Sequence, residues 1–137
     1  MRSIPAALMS LPFIAGAAFA GEAEVRAAQG TIEAQIGAFR GGDNAAAYGH
    51  AAPSIKRIFP TLESFMGMVT GAYQPVYRPR SFAFGKAQEA GSAIAQQVMI
   101  VGPDGRDYEA LYTLELQPDG RYRITGVSLK ASNALSM

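Results

Sequence analysis

His50 is the single histidine of this chain. Tyr48, two residues earlier, is the neighbouring side chain that could also move a proton. An acid–base reading needs a carboxylate to hold one ring nitrogen while the other exchanges its proton. Asp43 and Glu63 are the candidates for that orienting role. A plainer reading competes. His50 stands before Ala51-Ala52-Pro53, at an expected helix end, and the helix dipole favours a histidine there without any catalysis. One histidine with no placed partner is thin ground for an enzyme of the isomerase, dehydratase or hydrolase kind.

A second constellation is less reactive. Gln96, Tyr108 and Tyr112 fall on one face of the strands derived below, and Tyr77, Arg78 and Arg80 precede those strands. Two phenols, an amide and a guanidinium around an apolar pocket would suit a small apolar or weakly acidic ligand. The competing reading outweighs it: buried tyrosines are core residues whose hydroxyls find a backbone partner. With no cysteine in the chain, thiol nucleophiles, disulfides and Cys-based metal or redox sites are excluded. A zinc site would have to lean on carboxylates, so no metal is expected. No nucleophile elbow, P-loop, dinucleotide loop or EF-hand loop occurs, and no cofactor is implied.

The elements that must position these residues begin with a helix from Glu22 to Arg40. Its stripe is Val25, Ala28, Ile32, Ile36 and Phe39, at a 3.6-residue period. Gly41-Gly42 ends it. Asp43 caps a second helix, Asn44 to Ala51, which Pro53 stops, and Ser54 opens a short turn through Phe59. Thr61 caps a third helix bearing Leu62, Phe65, Met66 and Val69, with Gly71 at its end. Tyr73 to Pro79 reads as an extended linker held open by Pro75 and Pro79.

The remainder reads as strand. Pro103-Asp104-Gly105-Arg106 and Pro118-Asp119-Gly120-Arg121 repeat one turn, with glycine at the left-handed position of a bulged three-residue loop. Such turns fix register. Ile100 should face Tyr108, Val98 Ala110, Gln96 Tyr112, Leu114 Ile124 and Glu115 Arg123. Gln96, Val98, Ile100, Tyr108, Ala110, Tyr112, Leu114, Tyr122 and Ile124 then share an inner face, joined by Phe82 and Phe84 from a strand over Arg80 to Gln88. The outer face carries Gln97, Glu109, Thr113, Glu115, Arg123 and Thr125, interrupted by Met99 and Leu111. Those two apolar positions would allow a homodimer through the outer face. The fold class is α+β: three N-terminal helices on an antiparallel sheet of about four strands.

Several segments carry a family likeness. They are Ala38-Phe39-Arg40 with Asp43 and Ala52-Pro53, Phe65-Met66 with Met68-Val69, and Tyr73 with Pro75-Val76-Tyr77-Arg78-Pro79-Arg80. Phe84-Gly85, Gly102-Pro103-Asp104-Gly105 and Ala110-Leu111-Tyr112-Thr113-Leu114-Glu115 continue it. From about Val25 to Leu129 the chain resembles the bacterial domain-of-unknown-function family 4864. The opening is similar to the nuclear-transport-factor-two-like (SnoaL-like) cone fold. The resemblance implies a curved, cystatin-like cone and brings no established activity or site residue. Fold relatives include enzymes, ligand binders and dimerisation modules, so fold does not decide function.

The first twenty residues have a basic start at Arg2, an apolar run from Ile4 to Ala17 and the small-residue end Ala18-Phe19-Ala20. That is the pattern of a cleavable signal peptide, with the cut after Ala20 and one domain over 21–137. It predicts a periplasmic or secreted product, free of the membrane after cleavage. The chain has 12 basic and 11 acidic side chains. Arg2 is the only charge before the cut, so the product is formally neutral, which argues against nucleic acid as a partner.

Overall fold

A computed structural model describes residues 20–132. The expected signal segment, up to residue 19, lies outside the described residues. Helix α1 (Ala20–Arg40) leads the chain. Ala28, Ile32, Ile36 and Phe39 are fully buried along one stripe, as the periodicity requires. The helix ends in a Schellman motif: Gly42 takes φ 76°, its N–H donates to the Phe39 carbonyl, and the Asp43 N–H donates to the Ala38 carbonyl.

Helix α2 (Asn44–Gly49) starts on Asp43, whose carboxylate accepts from the Ala46 N–H at 3.1 Å. It is shorter than the expected Asn44–Ala51. His50 closes it, and Ala51 pairs in parallel with Ile124 of the last strand. The Ala52 N–H donates to the Ile124 carbonyl, and the Ile124 N–H donates to the His50 carbonyl. These sheet-type bonds offer the segment more than another helical turn would, and Pro53 forbids such a turn. Pro53 instead opens α3 (Pro53–Ile58), where its missing N–H costs nothing.

Helix α4 (Leu62–Ala72) has a reciprocal capping box between Thr61 and Ser64 and buries Phe65 and Val69. It runs through Gly71 to Ala72. In place of the expected extended linker, Gln74–Tyr77 forms a short helix, α5, with Pro75 in its first turn. A proline there fits helical φ and loses no bond. Pro75 and Val76 are buried, so packing selects the helical alternative.

Four antiparallel strands follow in the order β1 (Ser81–Ala90), β2 (Ala93–Val101), β3 (Asp107–Leu116) and β4 (Tyr122–Ala131). The registers Gln96↔Tyr112, Val98↔Ala110, Ile100↔Tyr108, Leu114↔Ile124 and Glu115↔Arg123 are those the turns dictate. Both Pro-Asp-Gly turns use the same bonds. Asp104 accepts from the Arg106 N–H and Asp119 from the Arg121 N–H. Gly105 and Gly120 have φ of 79° and 84°, which an L side chain would strain.

Two irregularities bend the sheet. In β1 the register shifts between Phe84 and Ala87, opposite Gln97. The Lys86 N–H, thrown out of the ladder, donates to Gln97 Oε1 at 3.1 Å. A Cβ on Gly85 would lie 2.4 Å from that same oxygen, so a side chain there would displace the Gln97 amide from the bulge. In β4, Thr125 is the extra residue. After it the faces exchange, so Val127 and Leu129 pack on the core side. The inner face and the helices α1, α2, α4 and α5 enclose one apolar core.

Candidate functional site

The β4 irregularity and the short helices leave a cavity of about 260 Å³ between them. Ile124, Gly126 and Val127 of β4 form one wall, α1 contributes Gln35 and Phe39, and α3 with its C-cap gives Ile55 and Phe59. Phe65, Met68 and Val69 of α4, followed by Tyr73 and Val76, close the rest. The aromatic packing behind it is fixed. Phe39 stacks on Phe65 at 6.5 Å, and Tyr48 meets Phe65 at 4.8 Å. The Tyr48 hydroxyl donates to the Phe59 carbonyl.

Two polar side chains reach this wall, and each is anchored. Gln35 is buried, and its Nε2 donates to the Ala47 carbonyl at 3.1 Å. The Tyr73 hydroxyl donates to the Val127 carbonyl at 3.1 Å. Among the described residues, no Asp, Glu, His, Lys or Arg side chain lines the cavity. The arrangement can sequester an apolar molecule and orient it through one amide.

A second, more polar groove of about 480 Å³ lies on the outside of α1 and α2, against the β3–β4 turn. His50 is half-buried here, together with Thr31, Arg121, Tyr122 and Arg123. Partial burial, then the positive charges of Arg123, Arg121 and Lys56, hold the His50 pKa below its ordinary value. Neither Asp43 nor Glu63 lines this groove.

The structure places the sequence-derived ligand residues elsewhere, and none of the five lines the apolar cavity. Gln96 is fully buried. Its Oε1 accepts from Gln29 Nε2 at 3.0 Å, and its Nε2 faces the carbonyls of Gly85, Lys86 and Gln97. It clamps the β1 bulge. Tyr112, its register partner, is also fully buried, and its hydroxyl has no partner among the described residues. Burial holds that phenol well above the usual tyrosine range.

Tyr108 and Arg80 meet at the first Pro-Asp-Gly turn. The Tyr108 hydroxyl donates to Asp104 at 2.6 Å, and Arg80 donates to the Pro103 carbonyl at 3.2 Å. That hydroxyl bond lowers the Asp104 pKa and raises that of Tyr108. Tyr77 packs edge-on against Phe39 at 5.5 Å, beneath the Arg78 guanidinium.

Gln35 and Tyr73 escaped the sequence reading although each left a signal. Gln35 is a polar residue on the buried stripe between Ile32 and Phe39, and Tyr73 extends the Phe65–Val69 stripe by one turn. A polar group on a buried helical face must find a partner or face a cavity.

The chain belongs to the domain of unknown function family DUF4864, whose model matches residues 21–137. No curated protein matches it. Its solved structural neighbours include an NTF-2-like protein of unknown function from Silicibacter pomeroyi DSS-3, at 18% identity and TM-score 0.39. That match covers 53% of this chain and 58% of the neighbour, so the chain spans little over half of that protein. An NTF2-like protein of unknown function from Burkholderia pseudomallei K96243 matches at 12% identity and TM-score 0.43, over 79% of this chain and 92% of its own. A protein from Kribbella flavida DSM 17836 matches at 18% identity and TM-score 0.48, over 79% and 88%.

Proposed function

We propose that this domain, exported by its N-terminal segment, is a non-enzymatic binding module that holds a small apolar ligand in the 260 Å³ cavity. The observation carrying this reading is the chemistry of the wall. It is aliphatic and aromatic, and its two polar side chains are already tied to backbone carbonyls. A cavity of ~150 Å³ takes benzene, so in proportion this one suits a molecule of about ten carbon atoms. That is near the lower end of the ~300–1,000 Å³ typical of ligand pockets.

Thermal shift of the protein with decanol, decanoic acid and naphthalene tests the reading. Decanol and naphthalene should raise the midpoint in a concentration-dependent way, because a ligand selective for the folded state stabilises it. Decanoate should do so less, since no cationic side chain among the described residues lines the cavity. Val69→Phe and Val127→Phe, which fill the cavity from two sides, should each abolish the shift. If no probe raises the midpoint up to its solubility limit, the apolar-ligand reading is wrong.

Association is a second reading with its own observation. Met99 and Leu111 remain 39% and 43% exposed on neighbouring strands of the outer face. We infer that this patch supports pairing of two copies through their sheets.

A further inference from the structure

The groove outside α1 and α2 differs from the apolar cavity in every respect that bears on ligand chemistry. Ala27, Gly30 and Ala34 of α1 and Ala46 and Gly49 of α2 leave its helical walls nearly bare. Three side chains that carry or can carry positive charge, His50, Arg121 and Arg123, come to it from the α2 C-cap and from the β3–β4 hairpin. Asp119 engages Arg123 at 3.0 Å, the one ion pair found among the described residues. The Arg121 guanidinium and the His50 imidazole make no hydrogen bond within the described residues.

The sheet-type bonds that draw His50 out of α2 are also what aim it here. Its carbonyl is fixed to the Ile124 N–H, next to Arg123. A positive cluster on a formally neutral domain is costly unless an anion offsets it.

We propose that this groove is a binding site for a phosphate-class dianion, held by Arg121, Arg123 and protonated His50. With Asp119 holding one Arg123 amine, the Arg121 fork, the rest of the Arg123 guanidinium and one imidazolium still offset a doubly charged tetrahedral oxyanion. The bare helical walls leave room for the group to which the phosphate is attached. The charged groups that act on His50 are Arg123, Arg121 and Lys56, all positive. The acidic ones nearby are Asp119, engaged by Arg123, and Glu24, which acts on the neighbouring Tyr122. Binding and protonation are therefore coupled with a definite sign. A bound dianion raises the proton affinity of His50, and by reciprocity the dianion binds more tightly once His50 is protonated; because a phosphate group takes up its own proton over the same range, total phosphate binding passes through a maximum near the His50 midpoint.

Since His50 is the single histidine, its imidazole Cε1–H signal is unambiguous in a proton NMR titration of the full chain. With inorganic phosphate at constant ionic strength, the His50 midpoint should rise by about one unit. Chloride should leave it in place. R121Q alters an exposed, unbonded side chain and should weaken phosphate binding about tenfold with the far-UV spectrum unchanged. R121Q combined with R123Q should remove the midpoint shift. The proposal is overturned if phosphate does not move the midpoint, or if the double variant retains the shift. It is equally overturned if acetate at equal concentration moves the midpoint as far as phosphate does, since the site would then not select a dianion.

Discussion

Tyr112→Phe should make this protein more stable. Tyr112 is fully buried at the centre of the sheet, and its hydroxyl has no hydrogen-bond partner among the described residues. A buried, unpaired polar group carries a desolvation penalty of about 1–3 kcal/mol. Deleting the oxygen leaves a void of ~10–15 Å³. At ~24 cal/mol per Å³ such a void costs about 0.3 kcal/mol. The net gain at neutral pH is then about 1–2 kcal/mol, which for a domain of this size raises the midpoint by ~4 °C or more. Urea unfolding at pH 7 measures it, with an unchanged slope showing that the ensemble compared is the same.

The same residue has an alkaline signature. Burial raises its folded-state pKa above the ordinary value of 10.0. Between these two values the unfolded chain has lost the proton and the folded one has kept it, so stability falls as pH rises. At pH 11 Tyr112 alone costs about 1.4 kcal/mol relative to pH 8. Tyr122 and Tyr108 are also raised, but they are common to both proteins. The advantage of Tyr112→Phe should therefore widen from pH 8 to pH 11. Should the variant be less stable at pH 7, the hydroxyl has a partner and the reasoning fails.

Gln96→Leu should cost about 2–4 kcal/mol in urea unfolding despite its similar volume, because it strands the Gln29 amide and the carbonyls at the β1 bulge. A loss under ~1 kcal/mol would show that the clamp is dispensable. If two copies pair through their outer faces as proposed, Leu111→Lys should lower the apparent mass in light scattering to that of one chain, with the thermal midpoint otherwise preserved, since the residue is exposed. A wild-type monomer at high concentration would dismiss the associative reading.

The sheet was legible because its signals are local and redundant. Two Pro-Asp-Gly turns fix register, and alternation then assigns faces as far as Ile124. The assignment stops at Thr125. That residue looks like any outward threonine, yet the ladder steps over it and the faces exchange. The local signal for the step is Gly126, a lone glycine inside the strand beside Thr125, and alternation alone passes over it. The two prolines of Tyr73–Pro79 favour an extended chain and equally a first helical turn. Burial of Pro75 and Val76 decides between them, and burial is a tertiary quantity. Inner-face residues were therefore identified while the cavity was not. Gln96 and Tyr112 point inward as the alternation demands, but the helices pack closely over them, and the free volume lies one strand away against β4.

The places where local rules were overridden are the places where the candidate sites lie. The β4 bulge puts Gly126 and Val127 on the cavity wall. The short helix α5 begins next to Tyr73 and contributes Val76 to that wall. The escape of His50–Ala52 from α2 sets Ala51 against the cavity and directs His50 to the outer groove. A single parallel bridge, Ala51 to Ile124, therefore stands between an apolar site on one side and a cationic one on the other. Local preferences concede to tertiary packing most often where a structure has something to hold.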